Sequence, residues 1–107
     1  MRRAIKKLGQ NFLINKKALK KIVAALEIKE GETIVEIGAG SGNLTKEILK
    51  KTKKVIAIEK DPFLVEELRK KFPQLEIIEA DVRKVLEKLT SKLKNYKIVG
   101  NIPYYLT

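Results

Sequence analysis

The stretch that decides the fold is Thr33-Ile34-Val35-Glu36-Ile37, followed directly by Gly38-Ala39-Gly40-Ser41-Gly42-Asn43. Its first half is rich in β-branched residues and predicts a short strand that ends at Gly38. A helix is predicted next, from about Asn43 to Lys51. Glycines between a strand and a helix let the backbone turn sharply and approach a ligand closely, and the helix start offers unpaired N–H groups. The stretch therefore predicts a ligand-binding turn between a strand and a helix.

The sequence on both sides of this turn continues the alternation of helices and strands. Strands are predicted at 54–59, 75–79 and 96–100, and helices at 16–26, from Asp61-Pro62 onward and at 82–93. Strands that alternate with helices of about ten residues indicate a parallel sheet of right-handed βαβ units. We therefore expect an α/β fold, the N-terminal part of a Rossmann-like, mostly parallel, doubly wound sheet.

The helix after the second strand has clear local signals. Asp61 is a preferred helix N-cap, and Pro62 suits the first helical position. Three apolar residues, Leu64, Leu68 and Phe72, are spaced to lie along one side of the helix. We predict that this side is the inner face.

The positive charge is concentrated at the start of the chain. The 107 residues carry 24 Lys and Arg against 13 Asp and Glu, a net charge of +11. Residues 1–26 contain no acid and eight bases: Arg2, Arg3, Lys6, Lys7, Lys16, Lys17, Lys20 and Lys21. We predict that 1–28 forms a basic N-terminal helical segment before the sheet. A segment of one sign is typical of contact with nucleic-acid phosphates, although an anionic membrane surface or a solvated lysine-rich face would carry the same charge.

The composition excludes several kinds of chemistry. There is no Cys and no His, which excludes disulfides, thiol nucleophiles, imidazole bases and the common zinc ligand sets. No metal site is predicted. No apolar run approaches the ~20 residues that cross a bilayer, and the basic start lacks the apolar stretch of a signal peptide. We expect one small cytoplasmic domain without a membrane segment.

Two acidic residues follow predicted strands at the edge where open α/β sheets bind their ligands. Glu59 ends the second strand, 21 positions after Gly38, which is where such folds reach the ribose hydroxyls of an adenosine cofactor. Asp81 comes just after the third strand, and it could also serve as the N-cap of the helix at 82–93. Asn43 breaks the dinucleotide spacing G-x-G-x-x-G, so the turn reads E-x-G-x-G-x-G.

Three separated motifs resemble one family. They are Leu8-Gly9-Gln10-Asn11-Phe12-Leu13, the turn Val35-Glu36-Ile37-Gly38-Ala39-Gly40-Ser41-Gly42-Asn43-Leu44-Thr45, and Asn101-Ile102-Pro103-Tyr104. Together they resemble the ribosomal RNA adenine N6,N6-dimethyltransferase family, and the match covers the whole chain in the family's order. The resemblance implies an enzyme that uses S-adenosylmethionine to dimethylate adenines of ribosomal RNA. It implies the small ribosomal subunit as the partner, in ribosome maturation, and we expect a monomer.

The resemblance also implies a role for each matching residue. Asn11 and Leu13 would close over the cofactor, Gly38 would contact its methionine part, Glu59 would bind its ribose, Asp81 would bind its adenine, and Asn101 would lie between cofactor and target. Pro103 would stiffen the loop, and Tyr104 would stack on the extruded base. Family members continue through further strands and a helical C-terminal domain, which we expect to be absent from this chain.

Three alternatives stay open on the sequence alone. An NAD-dependent oxidoreductase would use a similar turn, although position 43 breaks its fingerprint. A non-catalytic RNA- or ribosome-binding factor would rely on the basic face and would have no need of Glu59, Asp81 or Asn101. Within the family, large-subunit RNA is the other substrate, as in macrolide resistance, although Gly9-Gln10-Asn11-Phe12-Leu13 resembles the small-subunit branch more closely.

Overall fold

The structure, a computed structural model, describes residues 15–100. Its elements are α1 (Lys16–Leu26), β1 (Thr33–Ile37), α2 (Asn43–Leu49), β2 (Val55–Glu59), α3 (Pro62–Lys71), β3 (Glu76–Glu79), α4 (Val82–Thr90) and β4 (Tyr96–Gly100). The order of elements predicted from the sequence is confirmed over this part of the chain. Only the ends differ, most of all at α4, which ends at Thr90 where a helix to 93 was predicted.

The four strands form one sheet in the order β3-β2-β1-β4, and every neighbouring pair is parallel. The register pairs Ile37 at the end of β1 with Ile58 of β2 on one side and with Gly100 of β4 on the other. All four strands therefore end at the same edge, called here the carboxyl edge. The predicted parallel α/β sheet is confirmed.

Within the described part of the chain, three helices cover one face of this sheet. The main core cluster joins α1, α2, β1 and β2 through Leu19, Val23, Ile34, Leu44, Ile48 and Val55. A second cluster joins Leu68 of α3 to Ala57 of β2 and to Ala39 in the glycine turn. Ala57 and Val55 are two residues apart on one strand, so they share a face, and α3 lies on the same face as α1 and α2. A right-handed return from β3 to β4 puts α4 on the opposite face.

The inner face of α3 differs from the prediction by one position. Val65 and Leu68 are fully buried, whereas Leu64 is only half-buried. Phe72 packs against the second cluster as predicted. Positions 65, 68 and 72 form a continuous helical stripe just as 64, 68 and 72 do, so the spacing alone does not choose between them. Leu68, which packs against Ala57 and Ala39, belongs to both stripes, and the burial of Val65 shows which of them faces inward.

Helix α1 is an integral part of the domain. Asn15 caps its start by accepting a hydrogen bond from the Ala18 N–H at 3.1 Å. At its other end, the Lys97 ammonium of β4 donates to the carbonyl oxygens of Leu26 and Glu27. A lysine at a helix C-terminus satisfies orphan carbonyls and complements the helix dipole. Residues 15–28 of the predicted basic segment are thus held to the sheet by hydrogen bonds, and the lysine side chains of α1 are exposed.

Candidate functional site

The glycine turn begins with a residue that leaves its surroundings open. Gly38 has φ +67°, in the left-handed region that side chains rarely adopt, and a Cβ added to it would meet no atom of residues 15–100 within 4 Å. Its N–H donates to the Ile58 carbonyl oxygen at 2.8 Å, which continues the pairing of β1 with β2. Gly38 is therefore a fixed point of the backbone that a ligand can approach closely.

Gly42 has a different role in the same turn. It caps α2 with φ +87° and is buried. A Cβ there would lie 2.7 Å from Cε2 of Phe72 and 3.1 Å from Cδ2 of Leu68. Gly42 is thus required for close packing of the turn against α3, a role that the sequence analysis did not assign. The position of Gly42 as the last glycine of the turn could have indicated this role, because the last glycine of such turns commonly allows close packing of neighbouring elements.

The Glu59 side chain links the glycine turn to the end of β2 by a hydrogen bond. Its carboxylate is buried and accepts hydrogen bonds from the Gly40 N–H at 2.8 Å and the Asp61 N–H at 3.1 Å, one on each oxygen. A carboxylate offers about four lone-pair positions, so each oxygen keeps capacity for a further donor. The predicted contact with ribose hydroxyls stays a prediction, and the structure adds a second role in fixing the turn.

Asp81 lies just after β3 and caps α4, the role that the sequence analysis had set beside cofactor binding. Its carboxylate accepts from the Arg83 backbone N–H at 2.9 Å, and it forms an ion pair with the Arg83 guanidinium at 2.7 Å. These hydrogen bonds hold the pKa of Asp81 well below its usual range. A cofactor adenine would have to share these oxygens with the largely exposed Arg83 side chain, and that predicted role stays a prediction.

Glu36 and Thr45 form a buried pair below the glycine turn, which the sequence analysis did not identify. Glu36, the next-to-last residue of β1, is fully buried, and its Oε1 accepts a hydrogen bond from the Thr45 hydroxyl of α2. Its Oε2 has no hydrogen-bond partner among the described residues. The pKa of Glu36 is raised to about 7, chiefly by burial. The hydrogen bond from Thr45 lowers this pKa, and the nearby charge of Glu59 raises it further. The sequence did offer an indication of this buried pair, since Glu36 is an acid within the otherwise apolar strand Thr33–Ile37.

The sheet brings three of the predicted site residues to one edge. Gly38 hydrogen-bonds to β2 one residue before Glu59, and the Ala80 N–H, next to Asp81, donates to the Glu59 carbonyl at 3.1 Å. Gly100, the last residue of β4, reaches the same edge. The other predicted site residues lie outside the described part of the chain: Asn11, Leu13, Asn101, Pro103 and Tyr104.

The described part of the chain, residues 15–100, has no group of three or more carboxylates, thiols or imidazoles placed to hold a metal ion. None of its helices is long and apolar enough to span a membrane.

A parallel sheet with a glycine turn and two acids at its carboxyl edge defines the chain as part of a Rossmann-like α/β fold. The sequence profile of the family described as ribosomal RNA adenine dimethylase matches residues 1–107. The chain therefore belongs to the ribosomal RNA adenine dimethylase family.

Curated relatives carry consistent names. A ribosomal RNA small subunit methyltransferase A from Malacoplasma penetrans is 46% identical over 104 residues, which are 97% of this chain and 38% of that protein. A protein of the same name from Chlorobaculum parvum is 48% identical over 105 residues, again 97% of this chain and 38% of the relative. The chain thus spans well under half the length of these relatives.

Solved structures show the same fold. A dimethyladenosine transferase from Plasmodium falciparum superposes with a TM-score of 0.72 at 35% identity, over 87% of this chain and 34% of that one. The 23S rRNA methyltransferase ErmE superposes with a TM-score of 0.64 at 28% identity, over 80% of this chain and 35% of that one. In both proteins the similar region is about a third of the molecule.

Proposed function

We propose that the protein carrying this chain is an S-adenosylmethionine-dependent enzyme that dimethylates the N6 atom of adenines in small-subunit ribosomal RNA. The observation that carries this proposal is the hydrogen bond between Glu59 and Gly40 beside the open backbone at Gly38. It sets a buried carboxylate next to a ligand-accessible turn at the carboxyl edge. The sequence similarity to the dimethylase family supplies the reaction.

The residues at this edge fit the proposed cofactor. The free lone pairs of Glu59 suit the two ribose hydroxyls, and the Asp81 carboxylate suits the amino group of the cofactor adenine. Gly38 leaves room for the methionine part, because within residues 15–100 no atom lies within 4 Å of the position that a Cβ would take. Asn11 and Leu13 are proposed to close over the cofactor. When bound, S-adenosylmethionine supplies a methyl group already activated by its sulfonium.

Methyl transfer then requires that the protein align the adenine amino nitrogen with the methyl group and provide hydrogen-bond acceptors for its N–H groups. The lone pair of an adenine amino group is delocalised into the ring, so acceptors that hold its N–H groups favour the pyramidal nitrogen that reacts. The Asn101 amide oxygen is the proposed acceptor, Pro103 stiffens the loop, and Tyr104 stacks on the extruded base. No imidazole or thiol is needed, in keeping with a chain that has neither.

Large-subunit RNA is the second candidate substrate, because ErmE, named for its action on 23S rRNA, shares the fold at 28% identity. The small subunit is favoured by the names of the relatives at 46% and 48% identity. The proposed ribosomal partner would place the protein in the cytoplasm. We propose that it acts as a monomer without a metal.

Mapping of radiolabelled methyl groups tests this proposal. The complete polypeptide that carries these residues is incubated with labelled S-adenosylmethionine and with small and large ribosomal subunits from a strain lacking the gene. We expect dimethyladenine in small-subunit RNA, and an Asn101→Ala variant should lower kcat by about 10²–10³-fold, the scale of losing one oriented polar group in a transition state. Label in large-subunit RNA would support the second candidate. RNA binding without transfer to any adenine would contradict an enzymatic function.

A further inference from the structure

The basic surface of this domain extends to the edge of the sheet opposite the carboxyl edge. The connection from α2 to β2 carries four exposed lysines, Lys50, Lys51, Lys53 and Lys54. They are called here the far-edge lysines, because β2 begins where this connection ends. They are separate in sequence from the lysine face of α1, which consists of Lys16, Lys17, Lys20 and Lys21.

The two groups of lysines meet in a groove between α1 and α2. Lys20 from α1 and Lys50 and Lys51 from the end of α2 line this groove, over an apolar floor of Val23 and Ala24. The remaining lining residue is Glu47, which is buried and forms an ion pair with Lys50 at 3.2 Å. The groove therefore keeps a positive excess and joins both groups into one surface.

The path of α1 shows how this surface is oriented. Lys97, near the start of β4, binds the last carbonyls of α1, so this helix ends at the far edge. Its 11 residues span about 16 Å, and the five residues of β1 span about the same length. Lys16 and Lys17 thus lie toward the carboxyl edge, whereas Lys20 and Lys21 lie nearer the far edge.

The charge along this surface is predominantly positive, although Glu27 and Glu30 in the connection from α1 to β1 are exposed at the same edge. Residues 15–26 carry four lysines and no acid, and residues 43–54 carry five lysines and one acid, the paired Glu47. The α4 face differs, since Arg83 there is engaged by Asp81 and Glu87 accompanies Lys84 and Lys88. Phosphate groups of a nucleic-acid backbone, spaced at regular intervals, complement such a continuous row of lysines.

We propose that this continuous surface binds the phosphate backbone of an RNA helix flanking the target adenine, with the far-edge lysines as its outer contact. The inference rests on the proposed function and adds to it a second contact, remote from the base-binding loop. The far-edge lysines then contribute affinity and position but no base readout, because phosphate contacts carry no sequence information. The target loop itself is held at the carboxyl edge.

Two RNA hairpins test this proposal with the complete polypeptide. Both contain the same target loop, but one has only a few closing base pairs and the other a long helix. Lys51→Gln/Lys54→Gln removes two exposed far-edge lysines and leaves the Glu47–Lys50 pair intact. Lys84→Gln/Lys88→Gln on α4 is the matched control, with the same change in net charge.

We expect the far-edge variant to bind the long hairpin roughly tenfold more weakly at about 0.1 M salt, with the slope of log affinity against log salt flatter by ~1.5 units. Its KM for the long hairpin should rise while kcat at saturation is kept. Its affinity for the short hairpin and for S-adenosylmethionine should equal that of the parent. The control variant should behave as the parent in every measurement.

Four results would overturn the inference: an unchanged slope, equal losses on both hairpins, an equal loss in the control, or a loss seen with vesicles of anionic lipid and not with RNA. The proposed function fails separately, if the parent protein transfers no methyl group to either hairpin or to ribosomal subunits. The two failures are therefore distinguishable.

Discussion

The carboxyl group of Glu36 should make the stability of this domain depend on pH near neutrality. Its pKa is raised from 4.5 to about 7, first by burial. A raised pKa means that the folded state holds the proton more tightly than the unfolded state does. The contribution to the free energy of unfolding is therefore fully present below pH 4.5 and is lost as pH rises through about 7.

The size of this effect follows from the shift. Each unit of pKa corresponds to about 1.4 kcal/mol, so ionising Glu36 in the folded protein costs about 3 kcal/mol. Glu36→Gln keeps an acceptor for the Thr45 hydroxyl and cannot ionise. Relative to this variant, the parent should lose about 3 kcal/mol of unfolding free energy between pH 4.5 and pH 8. The lowered pKa values of Glu32 and Asp81 act below this window and are common to both proteins.

Urea unfolding followed by circular dichroism at several pH values measures this difference. Glu47→Gln is the control, because Glu47 is another buried acid but has Lys50 as its partner at 3.2 Å. A second variant, Thr45→Val, removes the hydrogen bond that favours the ionised form of Glu36. It should raise the pKa of Glu36 further, so that the loss of stability occurs at higher pH. Parallel curves of unfolding free energy against pH for the parent and Glu36→Gln would refute the reasoning.

Three further predictions concern the glycine turn and the target base. Glu59→Ala should weaken binding of S-adenosylmethionine by roughly 1.5–3 kcal/mol, and unaltered affinity in titration calorimetry would remove Glu59 from the cofactor site. Gly42→Ala should destabilise the domain by more than Gly31→Ala does in thermal unfolding. Both glycines have a positive φ, of +87° and +82°, but only Gly42 would bring a Cβ to 2.7 Å from Phe72; equal losses would show that this contact relaxes without cost. Tyr104→Ala should slow single-turnover methyl transfer by removing stacking worth ~1–3 kcal/mol, whereas Tyr104→Phe should keep most of the rate. A parental rate for Tyr104→Ala would assign that residue to packing.

The sequence by itself determined the order of the elements and the place of the site. The β-branched runs, the capping signal at Asp61 and the glycines after β1 act over a few neighbouring residues, so they can be recognised without the fold. A parallel βαβ arrangement then forces strand ends to one edge, which is why Gly38, Glu59 and Asp81 could be assigned to a common site. The three motifs were sufficient to indicate the family.

Only the tertiary structure decided which side chains meet. Glu36 and Thr45 are nine residues apart, Gly40 and Glu59 are 19 apart, and Lys97 lies 71 residues from the Leu26 carbonyl that it binds. Such contacts depend on the path of the chain between the partners, and local patterns do not encode that path. The same applies to α3, where stripes through residue 64 or residue 65 are equally good helical patterns. The structure buries residue 65, because a close-packed core admits a single rotation of the helix.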